Sequence, residues 1–261
     1  MGVRGTFEEG YSGQLATTLV HGIFNHAEGE LVPDIVNLPN ALPVQVIVDG
    51  EPFHMTTGKV LGFRRTLDLK RAALTREVLW RTSQGIVVKL SFERFASLAD
   101  EHLLVQRVRV RALLGAPQIE IRSSVDTKVT NEGVQHLTDL QTCLADAEIV
   151  VTARTSQSGY GIAVCAAHGL SADAAAQSAS EHVRYAFNLP QENEVSLTKV
   201  SAIYTTRQTD QPAAAAQAAA RAALKKGYEA LFASHCAAWE QYWHTSDVQI
   251  EGDEVAQRAV R

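Results

Sequence analysis

The segment Leu104–Ala112 alternates with a period of two: Val108, Val110 and Ala112 face one way, and Arg107, Arg109 and Arg111 face the other. Such a run fits an extended strand with one buried and one polar face, and no helix places its residues so. The same signal recurs along the chain. Ala41–Glu51 holds Val44, Val46 and Val48 on one face and then Asp49-Gly50, a hairpin turn signal. Further strands are expected at Val60–Leu69, Leu74–Trp80, Gly85–Ser97, Gln118–Ser123, Glu148–Thr155, Tyr160–Ala167, Val183–Leu189 and Val195–Thr206. Gly115-Ala116-Pro117 reads as the link of a hairpin in which Glu120 offsets the arginine row across the strands. The Ala-rich stretch Ser171–Ser180 fits either an exposed loop or one helical turn. About ten antiparallel strands without helical crossovers imply a mainly β fold, a large antiparallel two-sheet β-sandwich.

The pattern changes at Asp210. Asp210-Gln211-Pro212 offers a capping side chain before a proline suited to a first helical turn, and Ala213–Lys226 is rich in the best helix former. Leu224, Tyr228, Leu231, His235, Ala238 and Tyr242 then form one helical stripe, widened by Phe232, Trp239 and Trp243. Gly227 marks a kink or a break between two helices. The stripe reads as packing surface for the sandwich or for something outside this chain. Asp247–Asp253 reads as extended, and Asp253-Glu254 as the capped start of another helix. The expected organisation is a sandwich over 1–208, a helical linker over 209–246, and a new unit beginning at 247–261.

Composition narrows the function. The 261 residues carry 24 Lys plus Arg against 29 Asp plus Glu, so no basic excess recruits nucleic acid or anionic lipid. No window suits a membrane span or a signal peptide, and the three cysteines, Cys143, Cys165 and Cys236, have no C-x-x-C spacing. Three small buried thiols in a reducing cytoplasm are expected. Phosphate-loop, dinucleotide-binding, serine-elbow and His-x-x-x-His signatures are missing. The nine histidines are scattered, and Asp126, Lys128, Asn131 and His136 read as turn chemistry. Adjacent Glu8 and Glu9 point apart in an extended chain and do not make the facing carboxylate pair of a glycosidase. No catalytic residue, metal site or cofactor site is assigned on these grounds.

Several segments nevertheless resemble glycoside hydrolase family 65, which includes the maltose, kojibiose, nigerose and trehalose phosphorylases. They are Gly2-Val3-Arg4-Gly5-Thr6-Phe7-Glu8-Glu9-Gly10-Tyr11, Gly22-Ile23-Phe24, Asn37-Leu38-Pro39-Asn40, Leu67-Asp68-Leu69 and Arg94-Phe95-Ala96-Ser97-Leu98. Trp239-x-x-Tyr242-Trp243 and Asp247-Val248-x-Ile250-Glu251-Gly252-Asp253 complete the series, in the family's order. The resemblance implies an N-terminal super-sandwich joined by a helical linker to a catalytic (α/α)6 barrel, of which Glu251–Arg261 would be the beginning. It implies inverting phosphorolysis of an α-glucosidic disaccharide to β-glucose 1-phosphate. Inorganic phosphate is the co-substrate, with no organic cofactor or metal. The general acid and the phosphate-binding residues belong to the barrel, so none is carried onto this chain, which is expected to be inactive alone. The family also contains hydrolases. The resemblance implies as partners the barrel, in the same or a companion chain, and a second copy in a homodimer. Arg4, Glu8 and Glu9 are the substrate-proximal candidates; Arg4 and Glu8 either bond sugar hydroxyls or fix a neighbouring loop. The alternative is a stand-alone module binding carbohydrate or protein.

Overall fold

A computed structural model describes residues 1–4, 17–29, 31–179 and 181–260. The N-terminal part holds β1 (Gly2–Arg4), β2 (Thr17–Leu19), β3 (Phe24–Asn25), β4 (Asp34–Ile35), β5 (Val44–Val48) and β6 (Glu51–Pro52). Longer strands follow: β7 (Lys59–Asp68), β8 (Ala73–Arg81), β9 (Val87–Ala96), β10 (Leu103–Leu114), β11 (Gln118–Ser124), β12 (Leu137–Ala145), β13 (Glu148–Thr155) and β14 (Gly161–Leu170). After β15 (Gln177–Ala179), β16 (His182–Asn188) and β17 (Glu194–Thr205) come α1 (Pro212–Lys226), α2 (Tyr228–Ser246) and α3 (Glu254–Ala259).

An eight-stranded antiparallel sheet, ordered β12-β13-β14-β17-β10-β9-β8-β7, faces a five-stranded one, ordered β15-β16-β11-β5-β6. Alternation sorts each strand's residues between layers. Val108, Val110 and Ala112 of β10 join Ile119 and Ile121 of β11 in the core between the sheets. Central strands are buried on both faces. In β14, Ile162, Val164 and Ala166 enter that core, while Ala163, Cys165 and Ala167 enter a second core beneath α1 and the start of α2. The molecule is therefore three layers: small sheet, large sheet, helices.

Asp49 and Gly50 both have positive φ, 48° and 80°, and close the β5–β6 hairpin as a primed turn. The expected β10–β11 hairpin does not form. β10 pairs with β9 and β17, and β11 with β5 and β16. Residues 115–117 instead carry the chain from one sheet to the other, so the two apolar faces oppose each other across the core. Glu120 consequently pairs with Arg122 and Arg184. The arginine row of β10 finds other carboxylates: Glu93 for Arg107 and Arg109, Glu229 for Arg107, and Glu192 for Arg111. Three further expectations need correction. Cys143 lies exposed on β12 rather than buried, because that edge strand has nothing over it. Residues 177–179 of the Ala-rich stretch form β15. Helix α1 starts on Pro212 with Gln211, not Asp210, at the cap position and without a side-chain cap bond.

A polar seam crosses the inner face of the large sheet. His168, Lys199, Gln106 and Arg94 stand side by side on four consecutive strands. Each of the first three reaches the opposite layer. His168 Nε2 bonds Ser123 Oγ at 2.8 Å, Lys199 Nζ donates to Pro43 O at 3.1 Å and Ser124 O at 2.8 Å, and Gln106 Nε2 donates to Leu42 O at 3.0 Å. Burial without partners would cost each of these groups a few kcal/mol, about 1–3; here they tie residues 42–43 and the end of β11 to the large sheet.

Candidate functional site

The segment fastened by that seam holds the N-terminal strands. Asn37 Oδ1 accepts from Thr18 N at 2.9 Å, Asn37 N donates to Asn131 Oδ1 at 2.9 Å, and Asn37 Nδ2 donates to Thr130 O at 3.1 Å. Asn131 Nδ2 in turn donates to Ile35 O at 2.8 Å. Asn40 and Asp126 exchange backbone hydrogen bonds, both 2.8 Å. Strand β2, positioned through Thr18, pairs with β1 in the register Arg4↔Thr17. Residues 5–16 thus join two chain ends held side by side on a platform built from the Asn37–Asn40 motif. Of the three candidates read from the sequence, Arg4 ends β1, and Glu8 and Glu9 lie outside the described residues.

Gly22-Ile23-Phe24 lies beside this platform. Ile23 is fully buried, while Phe24 is 45% exposed. Gly22 has φ +80°, and a Cβ there would meet the Arg207 guanidinium, which bonds Gly22 O. Buried Asn25 links this stretch to the β13–β14 turn. Its Oδ1 accepts from Gln157 N and Ser158 N, both 2.9 Å, and its Nδ2 donates to Ser156 Oγ and to His136 Nδ1, both 3.0 Å. His136 Nε2 lies 3.4 Å from Asp34 Oδ2. Asp126, Lys128, Asn131 and His136 are thus turn and tether groups. Among the described residues, no group of three His, Cys, Asp or Glu is placed to hold a metal ion.

The helices supply the second functional element. Ala216, Ala220 and Ala223 of α1 seat on the small residues of β14, and Arg221 grips Glu148 of β13 with Nη2–Oε2 at 2.8 Å. Gly227, φ 80°, ends α1 and starts α2, so the break is between two helices. Tyr228 lies under the Arg107 guanidinium, 3.7 Å from its ring centroid, and edge-on to Phe95 at 5.8 Å. His235 is fully buried. Its Nδ1 accepts from Leu98 N at 3.1 Å and its Nε2 donates to Arg71 O at 2.7 Å, bridging two loops to α2. Burial pushes that imidazole below the ordinary range. Further on, Trp243 Nε1 donates to Lys70 O at 3.0 Å, beside a cavity of about 360 Å3 lined by Leu69, Trp243, Asp247 and Gln257. The first half of the aromatic stripe is therefore packing surface for the sandwich. Beyond it, Tyr242, Val248, Val255 and Val260 are 51–75% exposed. Asp253 caps α3, accepting from Val255 N and Ala256 N.

Fold and site together define a large β-sandwich scaffold that presents an anchored N-terminal segment and a docked helical arm. The sequence model of the glycosyl hydrolase family 65 N-terminal domain matches residues 1–242. The chain belongs to that family and is its N-terminal domain. A kojibiose phosphorylase of Halothermothrix orenii is 29% identical across all of this chain, which covers 36% of that protein. An uncharacterized glycosyl hydrolase of Mycobacterium tuberculosis is 31% identical over 94% of this chain and 20% of its own length. A solved structure, described as a candidate kojibiose phosphorylase from the human microbiome, superposes with a TM-score of 0.82 over 96% of this chain and 35% of its own, at 18% identity, and shows the same fold. The chain thus spans roughly a third or less of the length of these relatives.

The sequence offered no signal for Lys199, which sits in an apolar strand, or for Asn25, whose partners lie more than a hundred residues away. His235 was visible as a stripe position but not as a hydrogen-bonded bridge.

Proposed function

We propose that this chain is the non-catalytic scaffold of a family 65 phosphorylase or hydrolase acting on an α-glucosidic disaccharide. The activity it serves is inverting phosphorolysis to β-glucose 1-phosphate, with inorganic phosphate as co-substrate and no organic cofactor or metal. The observation that carries the reading is the family match over residues 1–242 in relatives most of whose length lies beyond it. The sandwich spans 1–208, the linker 209–246, and residues 247–261 begin the catalytic (α/α)6 barrel, which packs on the exposed end of the helical arm. Segment 5–16, with Arg4 at its root and Glu8 and Glu9 within it, borders the barrel's sugar pocket. The assembly is a cytoplasmic homodimer.

The test is to mix the chain with kojibiose, maltose or trehalose and phosphate and assay glucose 1-phosphate. The chain alone gives no turnover, and co-expression with a barrel-encoding segment of a close relative restores it. Turnover by the chain alone refutes the proposal. The carbohydrate-module alternative is disfavoured because the exposed aromatics among the described residues, Phe24, Phe63 and Tyr242, lie on three separate elements rather than on one stacking platform. Calorimetric titration with the same sugars is expected to give no binding heat.

A further inference from the structure

Among the described residues the large sheet ends in β12 on one side and β7 on the other. Strand β12 breaks register between Thr138 and Gln141, carries Asp139 at φ 53°, and exposes Thr138, Asp139, Gln141 and Thr142. Those are devices that blunt an edge against pairing. Strand β7 is different. It runs ten residues without proline and leaves Phe63 47% and Leu67 55% exposed. Both lie on the inner face, opposite buried Val78 and Leu74 of β8, where the small sheet leaves them uncovered.

The ladder of β7 skips Leu61, so its paired positions are Lys59, Val60 and then Gly62 to Asp68, with Arg64 at the centre. We propose that β7 pairs antiparallel with β7 of a second copy of this chain, about a two-fold axis at Arg64, joining the two large sheets edge to edge. This deepens the homodimer reading above and rests on it. A two-fold normal to the sheet keeps like faces together. It sets Lys59 opposite Asp68, Val60 opposite Leu67, Gly62 opposite Thr66 and Phe63 opposite Arg65. Each end of the ladder is then closed by an ion pair, with an apolar pair next to it and a guanidinium beside an aromatic ring. Moving the axis to Phe63 or Arg65 loses both ion pairs, so charge selects this register. The like-charged pair of Arg64 on the axis is offset by Glu77, opposite Arg64 on each copy's own β8.

The experiment is light scattering and sedimentation of the chain over a wide range of concentration. The wild type is expected to be a dimer of 28.3 kDa subunits. Lys59→Glu is expected to weaken dimerisation about tenfold, because two symmetric pairs change sign. Lys59→Glu with Asp68→Lys restores the dimer, a rescue that simple structural damage would not give; Asp68→Lys alone also removes the bond from Arg71 N. Circular dichroism confirms folding of each variant. A monomeric wild type overturns both this interface and the homodimer reading. A dimer indifferent to Lys59→Glu overturns the β7 interface alone and leaves the homodimer standing. Open-ended oligomers larger than a dimer overturn the closed two-fold pairing.

Discussion

Lys199 gives the seam between the sheets a pH dependence opposite to that of most paired charges. Burial pushes its ammonium down from 10.5 to about 7, with only two carbonyls and no carboxylate as partners. Between these values the unfolded chain holds a proton that the folded one gives up, so stability rises with pH across the window. At about 1.4 kcal/mol per pH unit, the rise from pH 7 to 9 is about 2 kcal/mol, approached from above pH 7 because the folded group is half ionised there. The carbonyl bonds favour the charged form and reduce this toward about 1 kcal/mol. His168 titrates below the window, and Cys165, whose thiol is pushed up from 9.0 to about 12 by burial, loses stability above it. The assay is urea unfolding of wild type and Lys199→Met at several pH values between 7 and 9. At any single pH the variant trades a buried charge against two unsatisfied carbonyls, so the sign of its effect there decides nothing. The difference in slope does. Wild type is expected to gain stability relative to Lys199→Met as pH rises; parallel curves would refute the reasoning.

Burial, followed by the Lys199 charge, pushes His168 down from 6.5 to about 3, so stability is lost as pH falls through that interval, and denaturant midpoints at pH 7 and 4.5 should converge in His168→Gln relative to wild type. Asn25→Ala strips partners from the buried turn at Gln157 and Ser158 and should cost about 2–4 kcal/mol, read as a lowered melting temperature. Tyr228→Ala removes the ring between Arg107 and Phe95 and should cost about 3–5 kcal/mol. Tryptophan fluorescence follows this last change selectively, because Trp239 and Trp243 lie on α2 while Trp80 lies in the sandwich core; an unchanged urea midpoint would show that the arm is held elsewhere.

The residues that declare the fold in the sequence are those whose burial depends on alternation alone. Val108, Val110 and Ala112 announce β10, and Glu148–Thr155 coincides with β13, because a one-residue slip would invert their faces. Strand β12 went unseen because seven of its nine residues are exposed or nearly so, and its place depends on β13 rather than on its own pattern. The misplaced hairpin at residues 115–117 has a related cause. Two alternating strands joined by a short link look the same whether they are neighbours in one sheet or face each other across a core. The site was less legible still. The Asn37–Asn40 motif carried the family resemblance, but the platform it forms with Thr18, Thr130 and Asn131 joins residues far apart in the chain.

The alanines of α1 have a mechanical consequence. A helix resting on methyl groups sits close to the strands below, and nothing long or flexible cushions it. Helix α2, 19 residues and so about 28 Å long, leaves that seat as a stiff boom. Enlarging Ala220 by a few atoms would tilt the boom at its root, and the displacement would grow toward its tip at Ser246. Small side chains at this bearing therefore set the aim of whatever the chain carries beyond it, and a bulky replacement there is expected to misdirect that cargo before it unfolds the sandwich.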